Sequence, residues 1–278
     1  MSQFYIIRFK ILLLFISTFE TMTETSTSQK KRRTKFIMAY GLTSTAIAEF
    51  AAKPFIRHAL ACPRKETAVR SFFFGIDCGA SNLPDLLGDG KFEKEMPPFW
   101  YSGHEEYDKL CCSFKGVIRE AGRNELPADE EWGTLDGRFA RILLCDQLSR
   151  NCFRGTEEAF QYDGVALDLA NEMSLEALSN TTSPDEIPGM YAYILALPLM
   201  HSESIPDRAL CLDLLKWGKE QSPNLNWELN KGFVLQHTEV LQKFGRYPHR
   251  NSKKGWATTP EEENWLASPD CPGWAKSQ

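Results

Sequence analysis

Hydrophobic residues recur at helical spacing from about residue 104 onward, and the alternating runs typical of strands are nearly absent. The periodic stretches predict helices at about 104–123, 133–150, 156–178, 188–199, 206–221 and 226–245. A shorter helix is predicted after Thr259, which can cap it, because Pro260 suits the first helical position and Glu261–Glu263 stabilise the amino end. Short loops containing Gly or Pro favour antiparallel helical hairpins, so we expect an all-α fold.

The helical body is predicted to form a single domain over residues 71–278. Phe72–Gly75 opens this domain, and a loop rich in Gly, Asp and Pro follows as far as Pro98. Residues 1–70 differ in charge, because they carry 12 Lys and Arg against 4 Asp and Glu in a chain of net charge −5. We therefore predict that residues 1–70 are a targeting or poorly ordered segment outside the fold.

The first residues of the chain allow three interpretations. Residues 4–19 are apolar but are interrupted by two basic residues, and the uninterrupted apolar run is too short to cross a bilayer. The segment suits an organelle transit sequence, a signal-like membrane anchor, or a stretch that precedes a true start at Met22 or Met38. We expect organelle targeting or membrane anchoring through residues 1–70, and a cytoplasmic location otherwise. Any membrane contact is expected only through residues 4–19.

The charge and the missing motifs exclude several classes of function. The acidic excess of residues 71–278 disfavours nucleic acid, because counterion release needs clustered Lys and Arg. The eight cysteines show no C-x-x-C spacing, so we expect free thiols in a reducing compartment. The sequence contains no H-E-x-x-H, G-x-S-x-G, Walker lysine motif or G-x-G-x-x-G. We therefore predict no nucleic-acid partner, no metal and no cofactor.

One predicted helix carries an apolar stripe that turns polar. The stripe begins at Phe139, and its helical spacing leads into a dense polar set: Asp146, Gln147, Arg150, Asn151 and Arg154. Placing Asp146 and Arg150 on a core-facing stripe is costly unless partners satisfy both charges. The set is therefore interpreted either as a buried structural network or as part of a ligand site.

Polar residues also interrupt the pattern in three other segments. His237 belongs to an otherwise apolar stripe, where it is either a core residue or a group that transfers protons. His201 and Glu203 follow an apolar helix, but a spacing of two does not place them on one helix face, so they predict no metal site. The last segment follows Gly245 and contains Arg246, His249, Arg250 and Asn251. Solvated loops are the alternative interpretation of the last two segments.

These segments resemble a known family, the helical proteins called "domain of unknown function 924". The matching stretches are Phe72–Gly75, Phe99–Trp100, Tyr107–Asp108, Ala140–Gly155, Ala159–Phe160, Asp163, Ala166, Leu197–Pro198, His201–Glu203, His237 and Phe244–Asn251. The resemblance covers about 71–267, with Phe73 in place of a Trp and Leu148–Ser149 in place of a Phe-Pro pair. It implies a degenerate, tetratricopeptide-like, right-handed superhelix of helical hairpins and supplies no established activity.

Three functions fit these residues. The first is a polar pocket that binds a small anionic ligand or a peptide end, since guanidinium groups suit carboxylate and phosphate. Its predicted ligand-binding residues are Asp146, Gln147, Arg150, Asn151, Arg154, His201, Glu203, His237, Arg246, His249, Arg250 and Asn251. The second is a hydrolase-type enzyme with His237 or His249 as general base and with Asp146 or Glu203 positioning it. The third is a structural polar network without a ligand.

Overall fold

The described residues of the chain form helices that are joined by turns and short connecting segments. The computed structural model describes residues 44–79, 103–127, 131–179, 187–223 and 227–276. We number the helices in chain order: α1 (Ser44–Ala52), α2 (Pro54–Ala61), α3 (Glu66–Phe74), α4 (Glu105–Cys111), α5 (Lys115–Gly122), α6 (Leu135–Ile142), α7 (Ser149–Cys152), α8 (Asp163–Leu178), α9 (Tyr191–His201), α10 (Pro206–Gln221), α11 (Trp227–Phe244), α12 (Pro260–Ala267) and α13 (Gly273–Lys276). The described residues contain no strand, so the all-α prediction is confirmed.

Successive helices in the second half of the chain pack against one another as hairpins. Helix α9 packs against both α8 and α10, and α10 packs against α11. Gly218 permits the close approach of α10 to α9, because a Cβ atom there would lie only 2.6 Å from the Cβ atom of Ala192. The predicted helix bounds hold to within a few residues, except that residues 157–160 form a 3₁₀ turn. The right-handed superhelix stays a prediction.

Most of the polar set lies on one continuous helix, residues 135–152, which we call the central helix. Helix α6 continues without a break through a π-helical segment, Leu143–Leu148, into α7. The wider turns of a π-helix are uncommon and often occur at functional sites. Asp146 is 1% exposed and Arg150 is 7% exposed, so the polar end of the predicted stripe does lie in the interior.

The amino-terminal helices extend the fold beyond its predicted limit. Ile47 and Phe50 of α1 and Ile56 of α2 are buried in the same apolar core as Phe72. The prediction that residues 1–70 lie outside the fold is therefore wrong for residues 44–70. Each of these helices buries only a short apolar stripe, and the basic side chains of α2, Arg57 and His58, are exposed.

Several other predictions concern the ends of the chain and the cysteines. Residues 1–43 and the loop after residue 79 lie outside the described residues, so targeting stays a prediction. No helix within the described ranges has the length and apolar character needed to cross a membrane. Helix α12 begins as predicted, since the side chain of Thr259 accepts a hydrogen bond from the backbone N–H of Glu262. All eight cysteines are free thiols.

The apolar interior is divided into two parts. The main core runs from α1 to Val234 of α11. A smaller cluster contains Val240, Leu241 and Tyr247, with Trp274 of α13 packed against it. Polar side chains occupy the boundary between these two parts, and they form the candidate site.

Candidate functional site

Polar side chains from distant parts of the chain meet in a closed ring of contacts. We call this set the Asp146 cluster: Asp146, Gln147, Arg150, Asp163, His201, Glu203, Arg208, His237, Tyr247, His249 and Arg250. The central helix, the end of α9, the start of α10, the middle of α11 and the turn after α11 each supply members. Most members are residues that the sequence predicts as ligand-binding.

Asp146 is the hub of the cluster. Its Oδ1 accepts hydrogen bonds from Nη2 of Arg150 at 3.0 Å and from Nδ1 of His201 at 2.7 Å, and its Oδ2 accepts one from Gln147. Burial alone would raise the pKa of Asp146, but His201 and Arg150 outweigh burial and hold this pKa well below its usual range. Asp146 is therefore an ionised carboxylate whose position is fixed by three donors.

His201 ends α9 and lies directly beside Asp146. Burial lowers the pKa of His201, and this effect together with the charge of Arg150 outweighs the opposing effect of Asp146. The imidazole is therefore neutral at pH 7. Since its Nδ1 donates a proton to a carboxylate, its Nε2 carries the lone pair and accepts hydrogen bonds.

His237 and His249 lie around Trp274, on the side of the cluster that faces the smaller apolar group. The ring of His237 stacks on Trp274 at 3.9 Å between centroids, and the ring of His249 meets Trp274 edge-on at 5.5 Å. Burial lowers the pKa of both imidazoles well below its usual value. Neither ring makes a hydrogen bond to Asp146 or Glu203, so the described residues do not form the predicted arrangement of a general base and its positioning carboxylate.

Both terminal nitrogens of Arg150 have hydrogen-bond partners, whereas its Nε has none among the described residues. Its Nη1 donates to the carbonyl oxygen of Ala159 at 3.3 Å, and its Nη2 donates to Asp146 and to Oδ1 of Asp163 at 3.0 Å each. Asp163 is the first residue of α8, where a carboxylate also stabilises the helix dipole. Arg150 therefore joins the central helix to α8.

Arg250 is as deeply buried as Arg150 but is poorly matched. It is 3% exposed, and its guanidinium makes no hydrogen bond with any described residue. The nearest carboxylate oxygens are Oδ2 of Asp163 at 3.4 Å and Oε1 of Glu203 at 3.9 Å, both from Nη1. Its Cζ lies 4.9 Å from the ring centroid of Phe160, which Arg150 also approaches at 5.2 Å. Burial lowers the pKa of Arg250, although the group stays charged.

Asp163 and Glu203 form the side of the cluster that reaches solvent. Their side chains are 25% and 21% exposed. Glu203 accepts a hydrogen bond from the backbone N–H of Tyr247 at 3.2 Å and lies 3.6 Å from Nζ of Lys254. The exposed rim of the cluster therefore contains both signs of charge.

Arg208 is a member that sequence analysis misses. It is fully buried, donates to the carbonyl oxygens of Leu199 and Ser202, and donates to the hydroxyl of Tyr247 at 2.7 Å. These bonds satisfy the carboxyl end of α9 and so fix the position of His201. Its spacing provides a signal, because Arg208 lies on one helical stripe with the buried residues Cys211 and Leu215.

Two predicted site residues belong to a different contact. Asn151 donates to Oδ1 of Asp108 at 2.8 Å, and Nε of Arg154 donates to Oδ2 of the same carboxylate at 2.6 Å. These bonds tie α7 and the turn after it to α4.

Arg246 and Asn251 also belong elsewhere. Nε and Nη2 of Arg246 donate to the two carboxylate oxygens of Glu262 at 2.7 and 2.9 Å, and Asn251 donates to the same carboxylate at 3.1 Å. The side chain of Glu262 also accepts from the backbone N–H of Thr259 at 2.8 Å. We call these four residues the α12 cap, and they are held by one another rather than by the Asp146 cluster.

A small cleft opens beside the cluster. It is lined by Arg150, Arg154, Gly155, Ala159, Phe160 and Lys253. Three of its lining side chains are cationic, and the remaining surface is apolar or backbone. The cleft has room for little more than one water-sized group, so it adds positive charge beside the cluster but is not itself a ligand pocket. Within the described part of the chain, no three His, Cys, Asp or Glu side chains are placed to hold a metal ion together.

The chain matches a known protein family. The family model described as "Bacterial protein of unknown function (DUF924)" matches residues 70–270. The chain is also similar to the solved structure of ATU0120, a protein of unknown function from Agrobacterium tumefaciens, with 28% identity and a TM-score of 0.50. That match covers 66% of this chain and 97% of the other. No curated protein matches the chain. Residues 70–270, which the family model matches, include every member of the Asp146 cluster, whereas Trp274 lies beyond them.

Proposed function

The chain belongs to the DUF924 family of bacterial proteins of unknown function, and we propose that its Asp146 cluster binds a small anion through Arg250. The observation that carries this proposal is the mismatch between the burial of Arg250 and its lack of hydrogen bonds. Nε of Arg250 is a buried donor without an acceptor, which is costly, and Nη1 forms only two long ion pairs, with Asp163 and Glu203. A carboxylate or phosphate supplies acceptors in the planar geometry that a guanidinium prefers.

The surroundings of Arg250 support the same ligand. Arg150 also approaches the ring of Phe160, and Lys253 and Lys254 lie close by. Asp146 and Asp163 neutralise Arg150 more closely than any carboxylate neutralises Arg250. Arg250 therefore keeps its hydrogen-bonding capacity for a ligand, and its charge is balanced only by longer ion pairs with Asp163 and Glu203.

The two alternatives have less support in the geometry. A purely structural network is expected to satisfy its buried donors, as the α12 cap does, and Arg250 is not satisfied. A hydrolase-type enzyme with His237 or His249 as general base would gain support from a carboxylate bonded to one of these rings. Asp146 is instead bonded to His201.

A thermal-shift experiment tests the proposal on the full chain. Phosphate and acetate, each compared with chloride at equal ionic strength, are expected to raise the melting temperature in a saturable way, because a ligand that binds only the folded state stabilises it. At about 100 times the dissociation constant the gain is about 2.7 kcal/mol, which corresponds to a shift of about 5–10 °C in a domain of this size.

Two matched variants separate a specific site from general salt effects. Arg250→Met should abolish the saturable shift, and Arg123→Met, which changes an exposed arginine paired with Glu125, should keep it. The proposal is wrong if neither anion produces a saturable shift, or if Arg250→Met responds as the natural protein does.

A further inference from the structure

Two histidines of the cluster have hydrogen-bonding states that the structure fixes. Nδ1 of His237 lies 2.8 Å from the carbonyl oxygen of Phe233, and a carbonyl can only accept. Nδ1 of His201 lies 2.7 Å from Oδ1 of Asp146, which is an ionised carboxylate and also only accepts. Both Nδ1 atoms therefore carry a proton.

Both rings are neutral, so each has only this one proton. Burial lowers the pKa of His237 and of His201, and the charges of nearby arginines act in the same direction. The Nε2 atom of each ring is then an unprotonated acceptor. Neither Nε2 has a hydrogen-bond donor among the described residues.

The two acceptors are neighbours. The ring centroids of His201 and His237 are 6.2 Å apart. The rings keep limited access to solvent, since His237 is 7% exposed and the side chain of His201 is 14% exposed. Both Nε2 atoms keep contact with solvent, so each acceptor is open to a donor from outside the protein.

The unmet needs of the histidines and of Arg250 are complementary and lie close together. Arg250 has donors without acceptors, and the two imidazoles have acceptors without donors. Tyr247 connects them, because its ring centroid is 5.7 Å from that of His237 and 4.8 Å from Cζ of Arg250. These two contacts limit the distance from the His237 ring centroid to Cζ of Arg250 to about 10.5 Å, which a carboxylate and a neighbouring hydroxyl or ammonium can span through one hydrogen bond at each end.

We propose that the ligand is a small acid that carries a hydroxyl or ammonium donor near its anionic group. Hydroxy acids, amino acids, and phosphate esters with a nearby hydroxyl or ammonium group fit this description. The anionic group binds Arg250, and the donor binds Nε2 of His201 and His237. This inference rests on the proposed function, because it names the class of the anion. The carboxylates of Asp163 and Glu203 at the rim attract an ammonium, whereas the neutral imidazoles accept from either donor.

Isothermal titration calorimetry on the full chain tests this inference with two matched series of ligands. The first series is propionate, lactate and alanine, and the second is ethyl phosphate, 2-hydroxyethyl phosphate and 2-aminoethyl phosphate. If the carboxylates or the phosphate esters bind, the member with a hydroxyl or ammonium donor should bind at least about tenfold more tightly than the member without one. A tenfold change in affinity is about the effect of one hydrogen bond in a buried site. The hydroxyl and ammonium members distinguish the two donors.

A variant links this preference to the imidazoles. His237→Phe keeps an aromatic ring against Trp274 and removes the acceptor, so it should reduce the preference for the donor-bearing ligand while the simple acid still binds. His58→Phe changes an exposed histidine of α2 and should leave the preference unchanged. If His237→Phe fails to fold, nitrogen NMR of the natural protein provides the same test. The unprotonated Nε2 signals of two histidines should shift with the donor-bearing ligand and not with the simple acid.

The outcomes separate this inference from the proposed function. If no member of either series binds, both are wrong. If the simple acid binds as tightly as its donor-bearing partners, the anion site stands and the inference about the donor is wrong.

Discussion

Two arginines that lie four residues apart have opposite surroundings, and the contrast between them separates structure from function. Arg246 gives three hydrogen bonds, two to Glu262 and one to the carbonyl oxygen of Ala257. Arg250 is more deeply buried and gives none to the described residues. Buried guanidinium groups in folded proteins nearly always give hydrogen bonds, so one that gives none to the described residues marks where a ligand is expected.

The regions around the two arginines differ in the same way as the arginines themselves. The α12 cap joins a charge pair to a capping box, and the bonds from Arg246 and Asn251 connect the turn after α11 to α12. The Asp146 cluster also joins helices, but part of it is saturated and part of it is not. Stability and ligand binding should therefore depend on different members of the same cluster.

The largest expected effect comes from the saturated part. Asp146→Ala removes three hydrogen bonds and leaves Arg150 with only Asp163 as a charged partner, and loss of one member of a buried pair costs about 3–5 kcal/mol. Urea unfolding monitored by circular dichroism measures this loss. Glu125→Ala, at an exposed pair with Arg123, is the control and should change little. A change no larger than that of the control would mean that Asp146 does not stabilise the fold.

An intermediate effect is expected from the two arginines themselves. Arg246→Met should lower the melting temperature by a few degrees, because it leaves the buried carboxylate of Glu262 without its main partner. Arg250→Met should leave the melting temperature unchanged or raise it, because it removes a buried charge that is poorly compensated. Thermal unfolding without added anions measures both. Equal destabilisation by the two substitutions would remove the distinction between the regions.

The sequence predicts the helices and most members of the cluster because both depend on local spacing. A stripe that turns from apolar to polar shows that Asp146 and Arg150 are unusual, whatever their partners are. Arg208 carries the same signal within α10. Asp163 carries none, since an acidic residue at the start of a helix is also expected from the helix dipole alone. His237 is found because it interrupts an apolar stripe.

The sequence does not distinguish Arg246 from Arg250. Both follow the end of α11 in one polar segment, and only tertiary packing brings Glu262 to the first and leaves the second without a close acceptor. Residues 44–70 are misplaced for a related reason. Their positive charge is visible in the sequence, whereas the core that their few apolar side chains complete is formed by residues far along the chain.

The smallest expected effect is a difference in the pH range over which each region loses stability. The hydrogen bond from Arg246 lowers the pKa of Glu262 from 4.5 to about 2. Between these pH values the carboxyl group takes up a proton in the unfolded chain before it does so in the folded protein. The contribution of Glu262 to the free energy of unfolding is therefore lost as pH falls from about 4.5 to about 2.

The pKa of His237 is lowered by burial from 6.5. The unfolded imidazole is protonated first below pH 6.5, so stability is lost there, by up to about 1.4 kcal/mol per pH unit.

Urea unfolding between pH 8 and pH 2 measures both ranges. His237→Phe should weaken the dependence on pH between about 6.5 and 5, to which His201 and His249 also contribute, and leave the acid limb, whereas Glu262→Gln should weaken only the limb below about 4.5. His58→Phe, an exposed histidine, should leave the whole profile unchanged. If His237→Phe and His58→Phe give the same profile, the imidazole of His237 is not held neutral, and it cannot be the acceptor that the ligand requires.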